Sequence, residues 1–572
     1  MANVLKNPQH KAQLGYSGFD MSQLIKFSST VGELRPIYWD FLDPGDRVSL
    51  NHVLKTRTME INSAAMMSVD EHIEWFFVPL NQIYTIFGDW FYGIQDFKSS
   101  LFSVTGVSDV LPHFSPATLQ QYASHRYVDV YFHELGSTAI RLFEDFNIPV
   151  GPMLRGKMPM ALCPLLACAY QKIYFDYYRI SDREPNDPSC YSLDDYYQNP
   201  SDLDINDFSR FFTLRYRPWA KDFYTCTQIS PVMAVAGKSA FPGTAAGAGD
   251  GLVKTFNQWL SNVSFATYTP NGSPSNGSNE TSETYITNVG AFSVNTNPGL
   301  INQISPVGIR TQFAVEKLLE ITRRAGKHYD KQTLAHFGAD VPTGIAGEVM
   351  FLGKSTQTLQ IGDVIATAAS ESNALGQVGG KGYGYGEGNE IRFTAPAHGI
   401  LMAIYSAEPK ADYQVTGYDK LNALINRSDW RYPEYDNTGM QPLFNYQSYL
   451  KDVDDEEVAT NVSIAGWQHR YMERKLKYNK VQNAFMRTMK YWTPQRIFVG
   501  GQSEHQLDRY SRYLINPFYL DPVMVVAYGF DEDEVDSQGN ALPLFWRDPL
   551  IHEIYFDVKK SSTMSTYGLP SL

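Results

Sequence analysis

Residues Leu34–Leu80 read LRPIYWDFLDPGDRVSLNHVLKTRTMEINSAAMMSVDEHIEWFFVPL, and the periodicity of this stretch decides the fold class. Asp43-Pro44-Gly45-Asp46 is turn chemistry, because proline presets one dihedral and glycine permits the unusual one beside it. One run begins right after the turn, at Val48. A second begins near Glu71, with Ile73, Trp75 and Phe77 on one face and His72 and Glu74 opening the other. Period two means a strand, and Pro79 ends it by removing a ladder donor. Two long, aromatic strands joined by a broad connection predict the first wall of a β-sandwich. No catalytic group is needed to explain them.

Composition is consistent with that reading. Of 572 residues, 14% are aromatic and only 19% charged, a balance that favours strands and large buried interfaces. A net charge of -13 argues against a generally basic nucleic-acid binder, so any such contact must come from a local patch. Cys163, Cys168, Cys190 and Cys226 contain no C-x-x-C pair, which points to reduced thiols and neither a zinc site nor a disulfide scaffold. The amino terminus lacks an apolar signal core, and no stretch approaches about 18 uninterrupted apolar residues. A cytoplasmic product without a membrane span is expected.

In chain order, residues 1–30 are polar and read as an arm that orders only against something else. Leu166, Ala169, Tyr170, Ile173 and Tyr177 fall at helical spacing and predict a helix with one buried aromatic face. Residues 181–210 hold eight acidic residues, two basic ones and three prolines, which reads as a solvated loop. Composition changes after Val235. Residues 236–304 carry five charges amid Gly, Ser, Asn, Thr, Ala and Pro, and predict a surface excursion with packed flanks and a variable tip at Tyr268–Thr284. Val315, Leu318, Leu319 and Thr322 predict an amphipathic helix stopped by Gly326. The alternating glycines of GGKGYGYGEGNE lack the context of a dinucleotide loop and read as a flexible loop. Ile400–Tyr405 is apolar on both faces, as a strand between layers would be. Strand-like runs close the chain at Pro522–Tyr528 and Ile551–Lys560, the latter with Ile554, Phe556 and Val558 on one side. A sandwich with strands at both ends of the chain must pair its first strands with its last, as a jelly roll does. The expected fold is therefore an all-β core, an eight-stranded jelly roll with long inserted loops and several short α-helices. Its jelly-roll domain covers 31–235 and 305–572, interrupted by the insertion at 236–304.

Candidate chemistry is sparse. H-E-x-x-H, G-x-S-x-G, phosphate-loop and metal-spaced Cys/His patterns do not occur, and His133-Glu134 and His552-Glu553 lack a third ligand. The runs Asp452–Glu457 and Asp531–Asp536 offer calcium-type oxygens without EF-hand spacing, and solvated turns explain them better. One stretch stands out, between Gln468 and Arg496. Arg470, Arg474, Lys475, Lys477, Lys480, Arg487 and Lys490 face a single acid, Glu473, with Tyr471, Tyr478, Phe485, Tyr491 and Trp492 interleaved. Cations neutralise phosphates and aromatic faces accept unpaired bases, so the pattern suits single-stranded nucleic acid. The competing reading is an interface whose cations meet acidic loops of a neighbouring copy.

Several motifs occur in a consistent order: Gly18-Phe19-Asp20-Met21-Ser22, Gly32-Glu33-Leu34-Arg35-Pro36, Pro44-Gly45-Asp46, Trp75-Phe76-Phe77-Val78-Pro79, Arg217-Pro218-Trp219-Ala220-Lys221-Asp222-Phe223-Tyr224-Thr225 and His336-Phe337-Gly338. This series resembles the major capsid proteins of Microviridae, in the gokushovirus-like group nearest those associated with Bacteroidetes. The resemblance implies a viral jelly roll, no enzymatic activity and no cofactor or metal. It implies a T=1 icosahedral shell of about sixty copies around circular single-stranded DNA, with closed symmetry. It further implies assembly in the bacterial cytoplasm, residence in the virion, and companions in a small basic DNA-binding protein and a pilot protein. The insertion at 236–304 corresponds to a threefold protrusion in that family, and its tip (Tyr268, Asn271, Ser275, Asn279, Thr284) is the expected contact with a host surface receptor. The alternative class is a bacterial β-sandwich that binds or hydrolyses carbohydrate, for which abundant Tyr and Trp and acidic loops would serve.

Overall fold

The computed structural model describes residues 15–59, 68–92, 110–119, 136–149, 347–365, 378–410 and 548–566, most of 160–228, 412–450 and 464–496, and part of 314–340. The chain divides into two compact units, Met1–Ile229 with Pro342–Leu572, and Ser230–Val341.

In the first unit the strands are β1 (Ser17–Asp20), β2 (Gln23–Ser29), β3 (Arg35–Leu42), β4 (Arg47–Thr58), β5 (Ser68–Pro79), β6 (Met350–Ile365), β7 (Val378–Glu387), β8 (Ile391–Thr394) and β9 (Gly399–Pro409). Shorter ones follow as β10 (Asp412–Gln414), β11 (Met440–Phe444), β12 (Ile464–His469), β13 (Lys480–Val481) and β14 (Gln495–Arg496), and the chain returns in β15 (Leu550–Ser562). Among the described residues, ten of these form one antiparallel sheet. Eight lie on a continuous path in the order β1-β15-β4-β7-β6-β5-β9-β3, while β2 also pairs with β15 and β8 with β4. The last strand thus pairs with the first two, Ile554 opposite Ile25 and Ser562 opposite Ser17. This is the all-β jelly-roll core, and the turn at Asp43–Asp46 stands as read, with Gly45 at φ 93°.

The sheet curls until its two ends touch. Tyr38 on β3 lies 5.1 Å from Phe556 on β15, and Phe27 on β2 lies 5.2 Å from Tyr405 on β9, ring centroid to centroid. Inside the curl pack Val48, Leu50, Leu54, Ile73, Trp75, Phe77, Leu401, Ile554 and Phe556. The outer face of β5 and β9 (Phe76, Val78, Ile400, Met402, Ile404) packs against helices. These are α1 (Phe87–Tyr92), α2 (Gly136–Asp145), α3 (Leu165–Ile173) and α4 (Ile205–Phe211). The helix expected around Tyr170 is therefore present, continued by a π-helical turn at Tyr174–Tyr178. Tyr170 fixes it, donating to Leu34 O at 2.9 Å and accepting from Arg215 N at 2.8 Å.

Although consecutive in the chain, β4 and β5 are not neighbours: β7 and β6 lie between them, and the two meet across the interior through the Thr56–Glu71 hydrogen bond at 2.7 Å. Two local expectations change. The acidic stretch at 181–210 is not wholly a solvated loop. Asp204 caps α4 in a reciprocal box with Asp207, and Leu193, Leu203 and Phe208 are buried. The glycine-rich run is strand β7 and not a flexible loop. Gly382, Gly384 and Gly386 face inward, where a Cβ on Gly386 would lie 2.9 Å from the Gln357 Cβ and one on Gly384 would lie 3.2 Å from Glu71 Oε2. Tyr383 and Tyr385 point outward. Glycine every second residue is itself period two, and here it makes room for buried polar groups.

Those groups form a hydrogen-bond chain inside the curl. Glu71 accepts from Thr56 (2.7 Å), Tyr405 (2.8 Å) and Gln357 (2.5 Å). The Thr56 hydroxyl spends its proton on Glu71, so it accepts from His552 Nδ1 at 3.0 Å, leaving Nε2 to accept from Ser29 Oγ at 2.8 Å. Although His552 Nδ1 is 3.4 Å from Glu71 Oε1, the ring stays neutral: burial, helped by Arg35, pushes its pKa down to about 3 from 6.5. Burial likewise raises Glu71 above the usual carboxyl range. An unfolded histidine takes up a proton that the folded one refuses, so this residue's contribution is lost as pH falls from about 6.5 toward 3. Glu71 has the opposite sign, because its folded form binds the proton first. The urea midpoint of wild type should therefore drop between about pH 7 and pH 5 by more than that of His552→Gln. Equal drops would show that His552 does not titrate out of the fold.

Of the other expectations, the helix at 315–326 lies mostly outside the described residues. Those that are described there (Ala314, Lys317, Leu318, Ile321, Thr322, Ala325) are helical, and α5 (Tyr329–Phe337) follows. Pro522–Tyr528 and the tip residues Tyr268, Asn271, Ser275, Asn279 and Thr284 lie outside the described residues.

Candidate functional site

Two features stand out chemically, and the signature Arg217–Thr225 joins them. Its Arg217 is pulled against the sheet: Nη1 lies 2.9 Å from Glu74 Oε2 on β5, and Nε lies 3.4 Å from Glu408 Oε2 on β9. Glu74 also takes Lys354 at 3.3 Å and the hydroxyl of Tyr178, and Glu408 takes His72 at 3.4 Å and Ala220 N at 2.7 Å. Further along, Asp222 closes a turn by accepting from the backbone N–H groups of Tyr224 (2.9 Å) and Thr225 (2.8 Å), and it also receives the Tyr413 hydroxyl. Tyr224 then packs at a tilt against Tyr413 and Tyr478, with ring centroids 4.9 Å apart in each pair. With Phe223 and Leu443 these rings form a small core that joins β10 and β11 to the segment Arg217 anchors.

Between these groups is a cavity of about 670 Å³, lined by Glu74, Tyr177, Trp219, Lys354, Glu408 and Lys477 among others. Its size suits a small ligand. Two of its four acids, Glu74 and Glu408, do not suit the protonated role in glycoside chemistry. Burial pushes Glu74 up, but Arg217, Tyr178 and Lys354 outweigh it, and its carboxyl lies below the usual range. Glu408 is lowered too, burial being outweighed by His72, Arg217 and the Ala220 amide. Neither is kept protonated for a leaving group, as a hydrolytic acid must be. Among the described residues, no three His, Cys, Asp or Glu converge to hold a metal, and no helix is long and apolar enough to cross a membrane.

The second feature contains the basic segment. Arg474, Lys475, Lys477, Lys480 and Arg487 are exposed, Arg470 is half-buried, and Lys490 lies outside the described residues. The structure spreads these side chains over one surface and matches most of them with partners from the same chain. Lys475 pairs with Asp436 at 2.7 Å and Lys480 with Asp419 at 3.5 Å, and Lys477 donates to Glu473 O at 3.0 Å. Two of the three arginines lie over rings. Arg474 is 5.8 Å from the centre of Trp430, and Arg470 is 5.0 Å from Tyr435 and 5.5 Å from Tyr471. Trp430 and Tyr435 remain 53% and 51% exposed, with Tyr432 and Ile425 beside them in sequence and also exposed. The sequence reading missed this half of the surface. The run Arg427-Ser428-Asp429-Trp430-Arg431-Tyr432-Pro433-Glu434-Tyr435 shows the same interleaving of cations and aromatics that singled out Gln468–Arg496.

A curled antiparallel β sheet that carries a surface of cations over aromatic rings suits a structural protein that packs against partners. Comparison with known proteins agrees. The model of the capsid protein (F protein) family matches residues 10–124 and 154–496, more than half of the chain, and the chain belongs to that family. The resemblance to Microviridae read from the motifs is thereby shown. Capsid protein VP1 of Chlamydia phage 1 is a relative, 24% identical over 237 residues, which is 40% of this chain. The chain spans 39% of the length of that curated relative.

Proposed function

We propose that the chain is the major coat subunit of a T=1 icosahedral shell, built from about sixty copies by closed symmetry. The shell encloses circular single-stranded DNA. The observation carrying this reading is the family match across both halves of the chain, on a sheet whose first and last strands close the fold. Arg470, Arg474, Lys475, Lys477, Lys480, Arg487 and Lys490 face the genome in this reading, supported by the exposure of five of them and by the open Trp430 ring under Arg474. A small basic DNA-binding protein and a pilot protein complete the virion, which assembles in the bacterial cytoplasm. The insertion at 236–304 forms the threefold protrusion, and its tip contacts the host receptor.

Electron microscopy of the purified full chain is expected to show closed shells, whereas a stable monomer with saccharide affinity would favour the carbohydrate-binding alternative. Reversing the charge of Arg474, Lys475 and Lys477 together should reduce packaged DNA more than shell yield, and equal loss of both would contradict a genome-facing surface. Deleting Tyr268–Thr284 should leave shells intact and impair adsorption. Unchanged adsorption would remove the tip from host recognition.

A further inference from the structure

The genome-facing reading rests on charge, yet the charge here is partly spent. Asp436 already holds Lys475 and receives Arg431 at 3.4 Å, and Asp419 holds Lys480. Pairing within the chain leaves fewer cations to neutralise phosphates than the sequence count suggests. The Trp430 ring stays 53% exposed. Trp430 follows a 3-10 turn at Arg427–Asp429, set by a reciprocal cap between Asn426 and Asp429, and Tyr435 ends the next turn at Pro433–Tyr435. Tyr432 N donates to the buried Tyr471 at 3.3 Å, so the loop that carries the rings is tied to the fold and not trailing in solvent. Arg474 lies over one face of the Trp430 ring, and a guanidinium held there by the ring's quadrupole orients the indole and leaves its other face for stacking.

We propose that Trp430, backed by Arg474, is a stacking platform for an unpaired base of single-stranded nucleic acid, with Tyr435 and Arg470 as its neighbour. The proposal deepens the genome-facing reading and rests on it. It makes the surface a reader of base rings without sequence preference, where phosphate neutralisation alone would accept any polyanion. Neither face of a ring discriminates among bases, as a coat that must accept a whole genome requires.

The test uses the purified full chain and three dye-labelled probes of equal length: an oligothymidylate, an abasic oligomer with the same phosphates, and a duplex. Wild type should bind the oligothymidylate best. Trp430→Ala should weaken that binding roughly tenfold, leave the salt dependence of binding unchanged, and hardly alter binding of the abasic oligomer. Trp430→Phe should recover most of the loss, which a merely misfolded surface would not allow. If Trp430→Ala binds oligothymidylate as wild type does while Arg474→Glu weakens it, the surface meets nucleic acid but the platform is wrong. If wild type binds none of the probes, the genome-facing reading itself falls, and the platform with it. Loss of shell assembly in Trp430→Ala with unchanged oligothymidylate binding would make the patch a contact between copies and overturn the proposal.

Discussion

Arg141→Met should destabilise the subunit by about 3–5 kcal/mol, because it strands buried carboxylates without a cation. Arg141 on α2 grips Asp548 with both terminal nitrogens, at 2.9 and 2.5 Å, and reaches Glu33 Oε1 through Nε at 3.2 Å. Beside it Arg35 grips Asp145 bidentately, at 2.7 Å for each bond. Both arginines also aim at Ser28 O, at 3.4 and 2.9 Å, on the end of β2. Glu33, Arg35, Arg141 and Asp548 are buried, and Asp145 is half-buried. The cluster sits where the backbone ladder ends, so guanidinium groups bridge the seam between β2 and β3 that no strand pairing closes. Three carboxylates against two arginines leave one negative charge too many. Burial accordingly raises Glu33 above the usual range, although the arginines oppose it. Urea denaturation of the purified subunit measures the loss. Adding Asp548→Asn to Arg141→Met should recover part of it, since the second change removes the stranded charge. A loss under about 1 kcal/mol would mean that water reaches the cluster and that the seam is held by packing alone.

Phe556→Ala is expected to cost about as much, roughly 3–5 kcal/mol, by opening a cavity at the centre of the curl. The ring lies 5.1 Å from Tyr38, 5.5 Å edge-on from Trp75 and 6.2 Å from His52, so a single side chain on β15 touches β3, β5 and β4. Hydrogen exchange provides the sharper readout. Protection should fall on β3 as well as on β15, although β3 ends the sheet path, β15 lies second from its other end, and the two share no ladder. If β15 alone loosened, the contact between the sheet ends would be incidental to stability.

Much of this architecture was legible beforehand for a physical reason. Alternation places Ile73, Trp75 and Phe77 on one face whatever the neighbours are, and all three are inside the curl. The same holds for Ile554, Phe556 and Val558. The two-faced apolar run Ile400–Tyr405 was read as a strand between layers, and it lies between the interior and the helices. The glycines of β7 were misread because a missing side chain carries no hydrophobic signal, so only their spacing, and not their polarity, told of a strand. The basic segment was legible as composition. Its partners Asp436, Asp419, Trp430 and Tyr435 come from residues 419–436, which no local window around Gln468–Arg496 includes.

The sequence by itself determined that the chain is built of two-faced aromatic strands, that its last strand must return to its first, and which family it resembles. All three depend on order and period along the chain. Only the tertiary structure decided that β4 lies beside β7 and β15 and not β5, that Glu71 and His552 share a buried hydrogen-bond chain, and that arginines from β3 and α2 close the seam. Those outcomes turn on how buried charges find partners hundreds of residues away, as Arg141 finds Asp548. A charge taken out of water is tolerable only where folding delivers its counterpart, and that is settled in space and not along the chain.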